Sequence, residues 1–308
     1  MEGKIQRTWI TDNIEYLVPQ DPGTSLCCSG MIIHSSAKIL FDTNFGEALT
    51  RDLLRSEKPD FAVISHYHLD HSIWGSMVHE HSNATVLIPS GEEDFLTSHD
   101  YFIENTFAPY GLGEIWRDYT RTYGKYREIV DFNTYDGSSD IKLRDLSMEF
   151  VLTSGHSPGH TSIHFHDHKV IFTGDMGLNR FGLWYGWKDC NLVRCVESLL
   201  ELKSMKPALL LTSHEGIIRE NIEETIDLGI KIIFQREAMI EKKLGDGSSR
   251  QEIIDEGIFY KNKKKAGEPM KSFMTIWDSI MLDHHIKKLN EGGLRKDFPG
   301  LGFLVTSQ

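Results

Sequence analysis

The chain has 308 residues and a formal net charge of −12, with ordinary hydrophobic and charged fractions of 40% and 25%. These values fit a globular protein, and the acidic charge disfavours nucleic acid as a partner. No apolar run approaches the roughly 18 residues of a membrane span, and the first residues lack the apolar core of a signal peptide. Four cysteines without a disulfide-like spacing (Cys27, Cys28, Cys190, Cys195) favour a cytoplasmic protein.

Short elements alternate in the first part of the chain. Apolar patterning predicts strands at 25–33, 37–41, 61–65 and 85–88, with helices at 46–56 and 72–80. The region 91–135 is aromatic-rich, and Trp116, Tyr119, Tyr123 and Tyr126 recur at helical spacing. We interpret this region as an insertion that either packs on the main body or forms a wall or lid of a pocket.

Residues 66–71 place four metal-binding side chains directly after the apolar run 61–64. These are His66, His68, Asp70 and His71. Three imidazoles and a carboxylate at the mouth of a strand predict a transition-metal site, and zinc, iron and manganese accept such ligands. A solvated loop with chance histidines is the alternative interpretation.

Three later segments supply further candidate ligands, each near the end of a predicted strand. His160 follows the strand and turn at 151–159, Asp175 follows a hairpin at 162–173, and His214 follows the apolar strand 208–213. His164 and His166 share one face of the hairpin but are interpreted as surface or structural residues, and His156 as a turn residue.

Aromatic residues are dense in the loop after Asp175. Four of them are candidates for a substrate-facing wall: Phe181, Trp184, Tyr185 and Trp187. Helical spacing then predicts helices at 192–205, 222–244, 250–260 and 276–289. The lysine-rich segment 261–265 is interpreted as a solvated loop, with a binding strip as the alternative.

The ordered motifs H-x-H-x-D-H (66–71), S-P-G-H-T (157–161), T-G-D (173–175) and S-H (213–214), preceded by Asp42, resemble those of the metallo-β-lactamase superfamily. The resemblance implies an α/β fold, an αββα sandwich, with two divalent metal ions. Zinc is favoured, and iron or manganese are alternatives. His66, His68 and His160 would hold the first ion; Asp70, His71 and His214 would hold the second; Asp175 would bridge them. Asp42 would brace the site, and Asp70 would also orient the metal-bridging hydroxide as a catalytic residue.

This resemblance divides the chain into a metallo-β-lactamase-fold domain at 1–218 and a C-terminal helical, winged-helix-like extension at 219–308. We expect the extension to pack on the protein, and the alternatives are that it shapes the pocket entrance or mediates homodimerisation. The favoured function is hydrolysis of a carboxylic ester or thioester in a small-molecule substrate with an apolar or acyl portion. A phosphodiesterase or ribonuclease is the second hypothesis, and a metal-bound sensor with little turnover is the third. No membrane partner is expected.

Overall fold

The computed structural model describes residues 3–20, 26–137, 139–257 and 259–301, and the chain forms two compact units. The first unit comprises residues 1–153, 158–175 and 206–222. The second comprises residues 154–157, 176–205 and 223–308. The predicted start of the first strand, residue 25, lies outside the described residues. The predicted domain boundary at 218 stays a prediction.

A seven-stranded sheet in the first unit follows the chain order from edge to edge. Its strands are β1 (Lys4–Trp9), β2 (Ile14–Gln20), β3 (Gly30–His34), β4 (Lys38–Phe41), β5 (Phe61–Val63), β6 (Thr85–Pro89) and β7 (Asn133–Tyr135). The pairs from β1 to β4 are antiparallel, and those from β4 to β7 are parallel. The carboxyl ends of β4, β5 and β6 therefore meet at one edge, where ligands bind in open α/β sheets.

A six-stranded sheet completes the β structure described for this unit. In sheet order its strands are β13 (Ile217–Ile218), β12 (Leu209–Leu211), β11 (Val170–Phe172), β10 (Thr161–Phe165), β9 (Ser147–Leu152) and β8 (Asp140–Lys142). Only the β11–β12 pair is parallel. Consequently the chain leaves β11 and β12 at the same edge, before Asp175 and His214.

One hydrophobic core joins side chains from both sheets. Phe41 and Val63 come from the first sheet, and Phe150, Phe165 and Phe172 from the second. Each fully buried side chain of this size contributes about 1.5–3 kcal/mol of transfer free energy. This core supports the strand ends that carry the candidate ligands.

Helices of the first unit lie in the connections between strands. They are α1 (Glu47–Glu57), α2 (Leu69–Ser72), α3 (Val78–Ser82), α4 (Glu93–Thr97), α5 (His99–Asn105) and α6 (Gly113–Thr122). The predicted helix at 72–80 is instead α2, a 3₁₀ turn at Ile73–Met77, and α3.

The aromatic insertion packs within the first unit. Trp116 and Phe107 are buried with ring centroids 4.7 Å apart, whereas Tyr123 is exposed. Tyr67, which stands between His66 and His68 in the sequence, stacks with Phe95 at a centroid distance of 4.0 Å. The insertion therefore supports the loop of the first motif, and its role as a lid stays a prediction.

The regular secondary structure described for the second unit is helical. Its helices are α7 (Leu192–Ser204), α8 (Ile222–Gly245, whose first residue belongs to the first unit), α9 (Arg250–Glu256), α10 (Met270–Asn290) and α11 (Leu294–Asp297). The C-terminal extension is thus helical as predicted, and no strand that could form a wing occurs between 219 and 301, residue 258 aside. No described helix is both long and apolar enough to cross a membrane.

Candidate metal centre

Five segments of the first unit bring the predicted ligands to the shared strand-end edge. Asp42 follows β4, the loop 64–68 follows β5, and His160 precedes β10. Asp175 and His214 follow β11 and β12. Because these strands are short and anchored in one core, their ends hold the side chains in fixed positions.

Four of the candidate ligands form a compact group. The ligand atoms of Asp70, His71, Asp175 and His214 all lie within 4.8 Å of one another. His214 Nε2 is 3.1 Å from Asp70 Oδ2 and 3.2 Å from Asp175 Oδ1, and His71 Nε2 is 3.1 Å from Asp175 Oδ1. Two imidazoles and two carboxylates at these separations suit one divalent cation.

The remaining predicted ligands border this group. The ligand atoms of His66 and His68 lie within 4.8 Å of each other and of Asp175. The ring of His66 is 4.1 Å from that of His71 and 5.0 Å from that of His160, measured between centroids. His160 Nε2 accepts a hydrogen bond from the Asp175 backbone N–H at 3.0 Å.

Asp42 fixes the orientation of His71. Its Oδ2 lies 2.8 Å from His71 Nδ1, while its two oxygens accept hydrogen bonds from the Ser65 N–H and hydroxyl at 2.8 and 3.0 Å. With Nδ1 turned to Asp42, His71 directs its buried Nε2 at the carboxylate of Asp175, 3.1 Å away. A cation suits this nitrogen, which faces carboxylate oxygens. Asp42 thus takes the bracing position that the sequence assigns to it.

His160 is oriented in a similar way by Thr153. His160 Nδ1 lies 3.1 Å from the Thr153 carbonyl oxygen and 2.9 Å from its hydroxyl. Gly174 leaves room for the ring, since a Cβ atom at this glycine would lie 2.5 Å from His160 Nε2. Gly174 also has a φ of +56°, which glycine adopts readily.

Glu92 is a supporting residue that the sequence did not reveal. Its buried carboxylate accepts the Tyr67 N–H at 2.7 Å and the Gly159 N–H at 2.6 Å, so it ties the first-motif loop to the turn before His160. The sequence signal that could have revealed Glu92 is its position shortly after the end of β6, but Glu92 belongs to none of the motifs.

In the centre, the pKa of each carboxylate depends on the neighbouring imidazoles, and the pKa of each imidazole depends on the carboxylates. Burial raises the pKa of Asp70, but His71 and His214 outweigh it and lower the pKa to about 2. Burial likewise opposes the ionisation of Asp175, yet His214 and His71 hold its pKa well below the usual range. Burial lowers the pKa of both His71 and His214, and Asp175 beside them raises it well above normal. Two anionic carboxylates facing two imidazoles form a site that a cation can enter in place of the imidazole protons.

Cys28 lies beside this centre, and the sequence assigned it no role there. Its Sγ is within 4.8 Å of ligand atoms of Asp42 and His71. Burial raises the pKa of the thiol, and His71 only partly offsets this effect. A protonated thiol is a poor metal ligand, so Cys28 is better described as packing against the bracing pair.

The substrate-wall candidates all lie in the second unit and differ in exposure. Phe181 and Trp184 line a cavity of about 1260 Å³, whereas Tyr185 and Trp187 are buried and do not line it. The Tyr185 hydroxyl lies 2.9 Å from His285 Nε2, and the Trp187 carbonyl oxygen lies 2.7 Å from His284 Nε2. Packing accounts for these two aromatic residues, and their substrate-facing role stays a prediction.

His156 and the lysine-rich segment 261–265 of the second unit were also interpreted from sequence. His156 is buried, and its Nδ1 lies 2.8 Å from the Trp184 carbonyl oxygen; its interpretation as a turn residue stays a prediction. In the lysine-rich segment, Lys263 is buried and pairs with Asp278, while its neighbours are exposed. Four of these five residues are exposed, Lys263–Lys265 form a 3₁₀ turn, and the choice between a solvated loop and a binding strip stays open.

Comparison with known proteins identifies the family. The profile of the metallo-beta-lactamase superfamily matches residues 23–214, more than half of the chain. A metallo-beta-lactamase fold-containing protein of Sulfurisphaera tokodaii is 26% identical over 175 residues, which cover 54% of this chain and 65% of that protein.

Solved structures show the same fold. A metallo-beta-lactamase family protein from Thermus thermophilus superposes with a TM-score of 0.69 at 15% identity, covering 92% of this chain and 95% of that one. A beta-lactamase domain protein from Burkholderia ambifaria gives 0.69 at 17% identity, covering 94% and 90%. These likenesses confirm the predicted fold class, and the His/Asp cluster suits a divalent metal ion. The chain belongs to the metallo-β-lactamase superfamily.

Proposed function

We propose that this protein hydrolyses a carboxylic ester or thioester at a dinuclear metal centre. His66, His68 and His160 would hold one ion, Asp70, His71 and His214 would hold the other, and Asp175 would serve both. The observation that carries the proposal is the convergence of Asp70, His71, Asp175 and His214 within 4.8 Å at the ends of parallel strands.

When bound, two divalent ions, zinc in the first instance, lower the pKa of water and polarise a substrate carbonyl. The chain's own residues then set position and access. His66, His71 and His160 are fully buried and rigidly placed, whereas Asp70 and His214 are partly exposed. The low pKa of Asp70 keeps this partly exposed carboxylate ionised at neutral pH, so it would serve as a hydrogen-bond acceptor at the open side of the centre.

Support for an acyl substrate comes from the cavity of the second unit. Its walls include Phe181, Leu183, Trp184, Met239 and Phe259. Ligand sites typically combine such apolar walls with a few polar groups. The chain passes from Asp175 to the cavity-lining segment 179–184 within four residues. An acyl chain held by this segment would account for the aromatic density there.

A phosphodiester is the second candidate substrate. Cationic side chains also line the cavity, among them Arg180, Lys242 and Lys261. Such groups suit the phosphate of a phosphodiester, but they suit equally an anionic group elsewhere on a thioester substrate. The apolar walls favour the acyl substrate over the phosphodiester.

The test compares initial rates on an acyl thioester series and on an activated phosphodiester. Zinc-reconstituted protein and a chelator-treated control would be assayed side by side. We expect chelator-sensitive thioester hydrolysis whose kcat/KM rises with acyl length. In Phe181→Ala this rise should flatten, because one apolar wall is lost.

The matched control is Tyr123→Ala, which removes an equally exposed aromatic residue that does not line the cavity. It should keep the wild-type dependence on acyl length. A preference for the phosphodiester would reverse the ranking of the two substrates. Absence of turnover on both would favour the metal-bound sensor.

A further inference from the structure

Three metal-binding side chains gather on the second sheet, away from the predicted ligands. Strand register pairs His164 of β10 directly with Glu149 of β9, so both point to one face of the sheet. Their neighbours Phe150, Ile163 and Phe165 point into the core between the sheets, so this is the opposite face. His166 begins the 3₁₀ turn His166–His168, and its ring centroid lies 4.1 Å from that of His164.

The three ligand atoms are close enough to share one ion. Glu149 Oε2 lies 2.9 Å from His166 Nε2 and 3.6 Å from His164 Nδ1, and all three atoms are within 4.8 Å of one another. Zinc–nitrogen bonds of about 2.0–2.1 Å place tetrahedral ligand atoms about 3.4 Å apart. The Glu149–His166 separation of 2.9 Å is shorter than this distance, and the Glu149–His164 separation of 3.6 Å is longer.

His164 carries the observation that points to a ligand. The residue is only 6% exposed, and its buried Nδ1 has no hydrogen-bond partner among the described residues. A separation of 3.6 Å from Glu149 is too long for a hydrogen bond. Buried polar atoms are normally satisfied, so this nitrogen requires an explanation.

The electrostatics of His164 suit metal binding rather than an ion pair. Burial lowers the pKa of His164, and the neighbouring His166 lowers it further, against the opposing effect of Glu149. A neutral imidazole is favoured, and neutral imidazole is the form that binds a metal. The interpretation of His164 and His166 as merely structural leaves the buried nitrogen unexplained.

We propose that Glu149, His164 and His166 form a separate zinc site on the outer face of the β9–β10 pair. Two imidazoles and one carboxylate are a ligand set that zinc accepts, with water completing the coordination. A bound ion would join β9 to the end of β10 and satisfy the buried nitrogen of His164. This site shares no residue with the candidate catalytic centre.

The test counts zinc equivalents bound to the full-length protein after equilibrium dialysis against buffered free zinc. Wild-type protein should hold one equivalent more than His166→Ala or Glu149→Gln. His166 is 51% exposed at its side chain, so its removal should leave the fold intact, which circular dichroism would verify. His168→Ala is the matched control, because His168 is exposed in the same turn and should leave the zinc count unchanged.

A second measurement follows the histidine ring resonances by NMR as zinc is added. Signals of His164 and His166 should shift together, and that of His168 should not. Equal zinc counts in wild-type, His166→Ala and Glu149→Gln proteins would overturn the proposal. So would an equal loss in His168→Ala, since that result would mean nonspecific binding to surface histidines.

Discussion

At the scale of single residues, the candidate centre depends on how each imidazole is oriented. The Asp42 carboxylate accepts a hydrogen bond from Nδ1 of His71, and the Thr153 carbonyl oxygen accepts one from Nδ1 of His160. Both histidines therefore direct Nε2 toward the carboxylate-lined edge. Such supporting hydrogen bonds fix the tautomer and typically change metal affinity about 10- to 100-fold.

Asp70→Asn tests the role of the partly exposed carboxylate. The change keeps the side-chain size but removes a negative charge 3.1 Å from His214 Nε2. We expect turnover to fall about 10²- to 10⁴-fold, while binding of the first ion, by His66, His68 and His160, changes less. Rates and metal stoichiometry would be measured together, and a variant with two ions and normal turnover would contradict this role.

Gly174→Ala tests the close packing beneath His160. The added Cβ would lie 2.5 Å from His160 Nε2, so the ring must move and zinc affinity should fall about 10- to 100-fold. Gly247→Ala is the control, because Gly247 also has a positive φ (+89°) but open space around it. Calorimetric zinc titration would compare the two, and equal affinities would show that His160 is not constrained by this contact.

At the scale of elements, local sequence signals account well for the helices. Helix α7 was predicted at 192–205 and is observed at Leu192–Ser204, with Val196, Leu199 and Leu202 buried on one face. Asn191 caps its first turn by accepting a hydrogen bond from the Arg194 N–H at 3.1 Å. The helical spacing of apolar residues and the N-terminal cap at Asn191 therefore both favour this helix.

Asn191→Ala should destabilise the second unit by about 1 kcal/mol, because the capping acceptor is lost. Asn191→Asp should restore most of that stability, since aspartate caps as well as asparagine. Denaturant unfolding of the three proteins measures the free energies. If the alanine variant were as stable as wild type, the cap would contribute nothing here.

At the scale of the whole molecule, the candidate centre gathers ligands from segments between Asp42 and His214, which lie far apart in sequence. Removing an ion that these segments share leaves carboxylates and imidazoles facing one another in a buried place. Stability of the first unit should therefore depend on metal. No such dependence is expected of a purely apolar core.

Chelation should lower the apparent stability by about 4 kcal/mol relative to protein held at free zinc of about 1,000 times Kd. Thermal unfolding with and without chelator measures this difference. His68→Ala and Asp175→Ala should lose metal-dependent hydrolysis and much of the zinc-dependent stabilisation while keeping the fold. Full activity in either variant would contradict the ligand assignment.

Much of the fold was predictable because its signals are local. The strands that precede His66, Asp175 and His214 are short apolar runs, and each ends at a polar motif. Strands β1, β2 and β7 were not predicted, and for β1 and β7 the reason is a weak local pattern. β1 is an edge strand with mostly exposed, mixed residues, and β7 has only three residues, two of them exposed. Their pairing is decided by neighbouring strands rather than by their own patterns.

The sequence by itself determined the family motifs, the order of the candidate ligands and the helical nature of the C-terminal region. Those features reside in spacing along the chain, which needs no knowledge of distant contacts. Only the tertiary structure decided that Glu92 ties two motif loops together, that Tyr185 and Trp187 are buried while Phe181 lines a cavity, and that His164 faces Glu149. Which side chains are buried, and which residues they contact, depends on residues far apart in sequence, so no local pattern could predict these features.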